Sequence, residues 1–285
     1  MSNKIMGLFS VAAVFTACVA AVSLRNVAEI KKDFLNTTSH TVLVASHRAA
    51  HNVFPENSLP AVQEAIRLGV DIVEIDVKVT ADGIPVLMHD GKIDRTTNGK
   101  GNPEEMTLEQ LRKYHLVVKG EATEEKVPTL EEVLRLAKGR ILVDLDLKTD
   151  RLAPIVEMVK KTQTEDIVFY FDSDYNALKF VDQMDKKYML MPRAHSKAMA
   201  DSALTLFKPE VVHIDFSFYT PDVVTLIKKR GARVWINALG TIDASLRAGR
   251  HREALEQLLK NGANVIQTDE PELLLKRLKE KGLHR

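Results

Sequence analysis

The chain is nearly without cysteine, because Cys18 is the single one among 285 residues. An intrachain disulfide is therefore excluded, and so is thiol catalysis in a folded domain, since Cys18 lies in an N-terminal apolar segment. Neither sign of charge is in excess: 40 Lys and Arg stand against 39 Asp and Glu, for a formal net charge of +1. The sequence has no basic run interleaved with aromatic residues, so it predicts no nucleic-acid partner.

The one long stretch without a charged side chain covers residues 5–24. Lys4 precedes it and Arg25 follows it, a pattern typical of a signal peptide or a membrane anchor. Three fates stay open: cleavage near 21–23, lipidation at Cys18, or retention as an anchor, for which about 20 residues suffice. Each fate predicts export, to the periplasm, the medium or the cell surface, with membrane attachment through the N-terminus as one outcome.

The rest of the chain alternates short apolar runs with helical patterns. The predicted strands are 41–48, 71–80, 141–148, 166–172, 188–194, 211–217, 233–239 and 265–269. Helices are predicted between them, for example over 58–68 and 272–281. Eight such units favour an α/β fold with a closed (β/α)8 TIM barrel over an open sheet. We therefore predict a signal peptide or anchor with its linker over 1–40, and a barrel domain over 41–285.

Polar residues with related chemistry follow the first two predicted strands. The run TVLVASHR ends in His47 and Arg48, at the strand edge where parallel α/β proteins usually carry their chemistry. In DIVEIDVKV, the strand alternation places Glu74 and Asp76 on one face, and His89 follows shortly after. Two neighbouring carboxylates repel each other unless a cation lies between them, and Mg²⁺ or Ca²⁺ prefers such oxygen ligands.

This combination suits the cleavage of a phosphodiester. A site for that reaction must neutralise the phosphate, activate an oxygen nucleophile and protonate the departing alkoxide. A guanidinium and a metal ion meet the first need, and two imidazoles, with an ordinary pKa of about 6.5, meet the other two. A strand-end His or a Glu-x-Asp pair would be weak evidence alone, so the argument depends on their concurrence.

Between residues 47 and 99 the motifs run in the order His-Arg, Glu-Asn-Ser, Glu-x-Asp-Val, Thr-x-Asp-Gly, His-Asp and Arg-Thr-Thr. A last motif, Ile-Gln-Thr-Asp-Glu-Pro, covers 266–271. In this order they closely resemble the signature of the glycerophosphodiester phosphodiesterase family, which is related to the phosphoinositide-phospholipase-C-like phosphodiesterases. The resemblance covers almost everything after residue 41. It implies a TIM barrel in which the long interval 91–128 forms a small cap beside the mouth.

The resemblance also implies roles for individual residues. The residues that match catalytic positions are His47, His89, Arg48 and Lys148. The residues that match metal ligands are Glu74, Asp76 and Asp146. The residues that match substrate-binding positions are Arg48, Lys148 and Trp235. In this match the imidazoles are general acid and base, the cationic side chains stabilise the phosphate, and one divalent metal ion, Mg²⁺ or Ca²⁺, is the cofactor.

Two positions depart from the family pattern. Asp146 stands where the family usually has Glu, so the metal must lie closer to the strand or be coordinated through water. Ala49 stands where the family usually has Gly; a positive φ there would cost about 1 kcal/mol. Other strand-end residues are interpreted as scaffold, namely Met191, Arg193, His213 and Asp215. Asn237 is a candidate for orienting a substrate hydroxyl.

We expect metal-dependent hydrolysis of a small-molecule glycerophosphodiester to sn-glycerol 3-phosphate and an alcohol. The alcohol stays open among choline, ethanolamine, glycerol and inositol. The same site could act on a lysophospholipid, a phosphoinositide or a glycerophosphate polymer. A surface protein that binds phosphodiesters without turnover is the remaining alternative, although the presence of both histidines and the Glu-x-Asp pair favours an enzyme.

Overall fold

The structure, a computed structural model, describes residues 26–285. In this part of the chain, short strands alternate with helices. In chain order, the strands are β1 (Leu43–Ser46), β2 (Ile72–Val79), β3 (Pro85–Leu87), β4 (Val117–Val118), β5 (Glu121–Ala122), β6 (Leu142–Leu147), β7 (Val168–Asp172), β8 (Met189–Ala194), β9 (Val211–Ile214), β10 (Arg233–Asn237) and β11 (Val265–Thr268).

Eight of these strands form a closed parallel barrel, which confirms the predicted (β/α)8 fold. Around the barrel the order is β1, β2, β6, β7, β8, β9, β10 and β11, and it closes because β1 pairs with both β2 and β11. Each predicted strand overlaps one barrel strand. The largest difference is at 211–217, where β9 ends at Ile214 and the chain turns into a 3-10 helix, Phe216–Phe218.

Most of the helices connect the strands on the outside of the barrel, whereas α1 precedes β1 and α3 lies in the cap. In chain order, they are α1 (Val27–Leu35), α2 (Leu59–Leu68), α3 (Leu108–Leu111), α4 (Leu130–Ala137), α5 (Ala153–Thr162), α6 (Tyr175–Met184), α7 (Lys197–Leu206), α8 (Pro221–Lys229), α9 (Thr241–Arg247), α10 (His251–Leu259) and α11 (Pro271–Glu280). Local signals explain the bounds: the side chain of Ser58 caps α2, and Gly69, with φ of 76°, ends it.

Residues 91–128 form a small cap next to the barrel mouth. The cap contains a 3-10 helix at Pro103–Glu105, helix α3, and a hairpin of β4 and β5. Most of its apolar side chains join Val86 of β3 and Met88 just after it in a separate cluster, whose buried members are Val86, Met88, Ile93, Leu111, Leu116 and Val127. These residues pack against one another.

Helix α1 is joined to the barrel by a buried arginine. Arg233, the first residue of β10, is fully buried and donates hydrogen bonds to the main-chain carbonyls of Asp33, Phe34 and Asn36. Carbonyls at a helix end have no partner within the helix, so these bonds satisfy them. Helix α1 therefore packs against the barrel although the predicted segment 1–40 includes it, and the boundary at residue 41 stays a prediction.

Replacing Phe34 with alanine should destabilise the protein by about 3–5 kcal/mol, the usual effect of truncating a buried phenylalanine. The Phe34 ring is fully buried and stacks on Phe169, with ring centroids 5.2 Å apart. The matched control is Leu35→Ala, since Leu35 lies on the same helix but is 50% exposed. Urea unfolding of both variants checks this, and equal free energies of unfolding would contradict the packing of α1 on the barrel.

Among residues 26–285, no helix is both long and apolar enough to span a membrane. The predicted signal peptide or anchor at 5–24, with Cys18, lies outside the described residues. Its fate stays a prediction.

Candidate active site

The carboxyl ends of the barrel strands surround a cavity of about 190 Å³. All eight barrel strands contribute to it, within the strand or just after it. The residues that line the cavity are His47, Glu74, His89, Asp144, Asp146, Lys148, Phe171, Met191, Arg193, His213, Asn237, Leu239 and Gln267. The structure therefore brings most of the predicted site residues together, although up to 101 positions separate them in sequence (His47 to Lys148).

Four carboxylates lie on the adjacent strands β2 and β6. In their parallel register, Glu74 is opposite Asp144, and Asp76 is opposite Asp146. Side chains two positions apart share a strand face, so each strand presents its pair to the barrel interior. One oxygen from each of Glu74, Asp76 and Asp146 lies within 4.8 Å of the others. These three residues, here called the carboxylate trio, are the predicted metal ligands.

The trio is electrostatically strained. Burial raises the pKa of Glu74 well above its ordinary value, and the charges of Asp76 and Asp146 raise it further. Burial also raises the pKa of Asp146 to about 6, although Lys148 opposes this effect. Nζ of Lys148 lies 2.7 Å from Oδ2 of Asp146 and 3.6 Å from Oδ1 of Asp76. Burial disfavours the charged form of Lys148, but these two carboxylates raise its pKa overall.

The trio fits a divalent cation. In the described structure, Oε1 of Glu74 and Oδ1 of Asp76 are buried and accept no hydrogen bond. An unpartnered buried polar group costs about 1–3 kcal/mol, and more when it is charged. A hard cation would remove this cost, because Mg²⁺ and Ca²⁺ take carboxylate oxygens as ligands. Asp146 reaches the trio despite its shorter side chain, since its Cα pairs with that of Asp76.

Cation binding is expected to weaken below about pH 6. A carboxyl group must lose its proton before it binds a metal, so protons compete with the cation for Asp146. With a pKa of about 6, Asp146 is mostly protonated at pH 5 and mostly ionised at pH 7. The Kd for Mg²⁺ or Ca²⁺, measured by calorimetry, should be at least about tenfold larger at pH 5 than at pH 7. Equal values at both pH values would contradict this role of Asp146.

Each of the two predicted catalytic histidines is oriented by an aspartate. Nδ1 of His47 lies 2.8 Å from Oδ1 of Asp269, and Nδ1 of His89 lies 2.6 Å from Oδ1 of Asp90. Hydrogen bonds from Arg95 lower the pKa of Asp90. Burial raises the pKa of Asp269, but the hydrogen bond from His47 and the positive charges nearby together outweigh it, so the net shift is downward. A charged carboxylate only accepts, so each Nδ1 donates and each Nε2 can accept or deliver a proton.

Arg48 belongs to an ion-pair network that joins the barrel to the cap. Its Nη1 lies 2.9 Å from Oε1 of Glu56, whose carboxylate also accepts from Arg95 of the cap. Arg95 pairs in turn with Asp90. Nε of Arg48 lies 3.5 Å from Oδ2 of Asp76. The guanidinium lies beside the trio but is not among the described residues that line the cavity, so its contact with a phosphate stays a prediction.

The loop after β1 is strained at two non-glycine residues, Arg48 with φ of 50° and Ala49 with φ of 65°. Ala49 therefore adopts the left-handed conformation that glycine would favour, at a cost of about 1 kcal/mol. The N–H of Arg48 donates to the side-chain Oε2 of Glu74 at 2.7 Å, and the N–H of Ala49 donates to the main-chain carbonyl of Glu74 at 3.0 Å. These two bonds hold the strained loop against a predicted metal ligand.

The structure places Trp235 away from the cavity wall, so its contact with a substrate stays a prediction. Its side chain is fully buried and does not line the cavity. Nε1 donates to Oδ1 of Asn237 at 3.0 Å and lies 3.3 Å from Oε1 of Gln267. Both Trp235 and Asn237 point inward from β10, but Trp235 comes two residues earlier, so its ring fills the layer beneath. Phe171 supplies the aromatic ring of the wall instead.

Several wall residues are not identified as such by the sequence. Met191, Arg193 and His213 are interpreted there as scaffold, yet they line the cavity. Asp269 and Asp90 stand inside recognised motifs, but their role as partners of the histidines becomes visible only when the distances are known. For the pair of His89 and Asp90, their adjacency in the sequence was a signal that could have indicated the contact.

The chain is similar to known proteins over most of its length. Residues 47–273 match the model of the Glycerophosphoryl diester phosphodiesterase family. A glycerophosphodiester phosphodiesterase from Caldanaerobacter subterraneus subsp. tengcongensis is 28% identical over 253 residues, which cover 84% of this chain and 99% of the relative. The structure of an Oleispira antarctica phosphodiesterase in complex with the product sn-glycerol-3-phosphate matches with a TM-score of 0.72. The two sequences are 25% identical, and the match covers 83% of this chain and 96% of that one. A glycerophosphoryl diester phosphodiesterase from Parabacteroides distasonis has a TM-score of 0.76 at 21% identity, over 90% of this chain and 93% of that one.

By its family match and these relatives, the protein is a phosphoric diester hydrolase. The family match runs from the first predicted catalytic motif to the last and spans most of the 285 residues. The chain therefore belongs to the glycerophosphoryl diester phosphodiesterase family.

Proposed function

We propose that this protein hydrolyses glycerophosphodiesters to sn-glycerol 3-phosphate and an alcohol, with a divalent cation held by Glu74, Asp76 and Asp146. The observation that carries the proposal is that two histidines, each paired with an aspartate, line one cavity together with Glu74 and Asp146 of this carboxylate trio. Family membership supports it, as does the Oleispira antarctica structure with bound sn-glycerol-3-phosphate.

The first requirement of the reaction is to neutralise the phosphate. Lys148 lines the cavity beside the trio, and Arg48 lies next to Asp76. When bound, Mg²⁺ or Ca²⁺ supplies Lewis-acid stabilisation of charge on the phosphoryl oxygens. In this proposal the two cationic side chains orient the phosphate and stabilise the charge that develops in the transition state.

The second requirement is proton transfer at both ends of the reaction. Nε2 of one histidine accepts the proton of the attacking hydroxyl, and Nε2 of the other delivers a proton to the departing alkoxide. Two routes fit this arrangement. In one, a neighbouring hydroxyl of the substrate attacks first, the alcohol leaves and a cyclic phosphate forms. The histidines then exchange roles, so that water attacks the cyclic phosphate and the ring oxygen that leaves is protonated. In the other route, water attacks the diester directly.

The dimensions of the cavity favour a small substrate. Its volume of about 190 Å³ is below the roughly 300–1,000 Å³ that is usual for drug-sized ligands. Most apolar side chains of the cap pack into their own cluster, and Val117 and Val118 lie outside it, which leaves little surface for an acyl chain. Both observations favour a glycerophosphodiester over a lysophospholipid or a phosphoinositide as the substrate. The intact set of histidines and carboxylates favours turnover over binding alone.

Export of the protein is also a proposal. It rests on the uncharged segment 5–24 and its flanking Lys4 and Arg25, which lie outside the described residues. In this proposal the barrel acts in the periplasm, in the medium or at the cell surface.

The test is the release of sn-glycerol 3-phosphate from glycerophosphoglycerol and glycerophosphocholine by the purified full-length protein. The reaction is run with EDTA and then with Mg²⁺ or Ca²⁺ restored. We expect release only after the cation is restored. No release from either substrate with either metal would overturn the proposed activity, and undiminished release in EDTA would overturn the cation requirement.

A further inference from the structure

The cavity has two chemically different walls. The carboxylate trio and Lys148 come from β2, β6 and the turn after β6. The facing wall comes from β8, β9 and β10, where Arg193, His213 and Asn237 line the cavity. The first two are opposite each other in the strand register. Apart from the candidate role of Asn237 in orienting a substrate hydroxyl, none of the roles assigned above uses this second wall, here called the β8–β10 wall.

His213 is the most unusual residue of this wall. It is 3% exposed, and its Nδ1 is buried without a hydrogen-bond partner in the described structure. Its ring packs against Phe171 and Trp235, with centroids 5.2 Å and 6.4 Å away, so its position is fixed. Burial lowers the pKa of His213 to about 3, so the ring is neutral at physiological pH and offers one donor and one acceptor.

Arg193 and Asn237 add further donors in fixed positions. Nη2 of Arg193 lies 2.7 Å from Oδ1 of Asp215, and His195 holds the other oxygen of that carboxylate at the same distance. Nε of Arg193 is buried without a partner in the described structure. Oδ1 of Asn237 accepts from the indole of Trp235, so its amide group is the end that can donate.

This set of groups matches the hydroxyls of a polyol. Hydroxyl groups both accept and donate, so they can pair with an N–H of arginine, a neutral imidazole and an amide. A quaternary ammonium group fits poorly, because it is recognised by aromatic faces and negative charge. Among the described residues of the cavity wall, Phe171 alone carries a phenyl ring. The negative charge of Asp215 on this side is already paired with Arg193.

We propose that Arg193, His213 and Asn237 form a subsite for the hydroxyl groups of the departing alcohol, so that the enzyme prefers a polyol such as glycerol to choline. This inference rests on the proposed function and deepens it by naming the substrate class. The side chains of all three residues line the cavity, and their polar groups on that surface are the ones with which such an alcohol pairs.

The first test compares kcat/KM for two substrates that share the glycerol 3-phosphate half, glycerophosphoglycerol and glycerophosphocholine. We expect the wild-type protein to prefer glycerophosphoglycerol by about tenfold or more, since one hydrogen bond to a ligand is worth about that much. His213→Phe keeps a ring against Phe171 but removes both nitrogens, and it should reduce the preference about tenfold. Arg193→Met should also reduce the preference for glycerophosphoglycerol. It serves as the test if His213→Phe does not fold.

The matched control is Arg230→Met, because Arg230 is an exposed arginine that pairs with Asp201 outside the cavity. It should leave the substrate preference unchanged. Equal losses of kcat/KM on both substrates in His213→Phe and Arg193→Met would overturn the proposal, because the wall would then bind the shared half or act only in folding. No preference in the wild-type protein would overturn it as well.

A binding measurement separates this proposal from the proposed function. Calorimetric titration of both phosphodiesters into His89→Ala reports affinity without turnover, and the double variant with His213→Phe reports the subsite. Preferential binding of glycerophosphoglycerol without any turnover by the wild-type protein would sink the proposed function and support the subsite. Turnover with equal binding of both compounds would support the function and overturn the subsite.

Discussion

Alanine in place of His47 or His89 is expected to lower kcat by at least about 10²-fold, since one positioned acid or base contributes about 10²–10⁴-fold. Both rings line the cavity, and an aspartate at Nδ1 leaves Nε2 of each ring available for proton transfer. Without one imidazole, either the nucleophile keeps its proton or the alkoxide departs unprotonated. The measurement is steady-state release of sn-glycerol 3-phosphate at saturating divalent cation.

His115→Ala is the matched control, because His115 lies in the cap, where its Nδ1 is 2.7 Å from the carbonyl oxygen of Thr123. Its kcat should stay close to that of the wild-type protein. Asp269→Asn should fall between the control and His47→Ala, since it weakens the orientation of the His47 ring without removing it. Turnover like that of the wild-type protein in either catalytic variant would exclude that histidine as acid or base.

The second large effect concerns the third ligand of the trio. Asp146→Ala should raise the Kd for Mg²⁺ or Ca²⁺ by more than about 10²-fold, because losing even an outer-shell partner of a metal costs about 10–100-fold. One oxygen of Asp146 lies within 4.8 Å of an oxygen of Glu74 and one of Asp76, and no other His, Cys, Asp or Glu of the described chain joins that group. Calorimetric titration of the cation into the purified protein measures the change.

Two further variants make this test specific. Asp146→Glu restores the residue that the family usually has, so it should bind the cation and keep activity, with a changed preference between Mg²⁺ and Ca²⁺. Asp144→Asn tests the neighbouring buried carboxylate, which lines the cavity but is not part of the trio. If Asp146→Ala binds the cation as well as the wild-type protein and Asp144→Asn does not, Asp144 is the third ligand.

Much of the barrel could be predicted because its signals are local. The alternation in β2 places Glu74 and Asp76 on one face whatever lies around the strand, since successive side chains point to opposite sides. The eight predicted strands overlap the eight barrel strands, because the short apolar runs that predict them are also local. The positive φ of Ala49 was foreseeable from the glycine that the family usually has there, because the requirement belongs to the backbone of one residue.

Other features depend on residues that are distant in sequence, and no local pattern encodes them. Asp269 meets His47 across 222 positions, and Arg233 reaches the carbonyl of Phe34 across 199. The packing of α1 on the barrel was not foreseeable for this reason, since the bonds that attach α1 come from β10. The full burial of Trp235 was not foreseeable either, because alternation tells which face a residue takes but not its depth in the barrel.

The sequence by itself determined the (β/α)8 fold, the family and the identity of the groups that suit phosphodiester chemistry, because periodicity and motif order are properties of short segments. Only the tertiary structure decided which aspartate orients which histidine, that Lys148 lies against Asp146, and that His213 and Arg193 face the cavity. Closure of the barrel sets these relations, because it brings the ends of eight strands to one mouth at distances that no single segment contains.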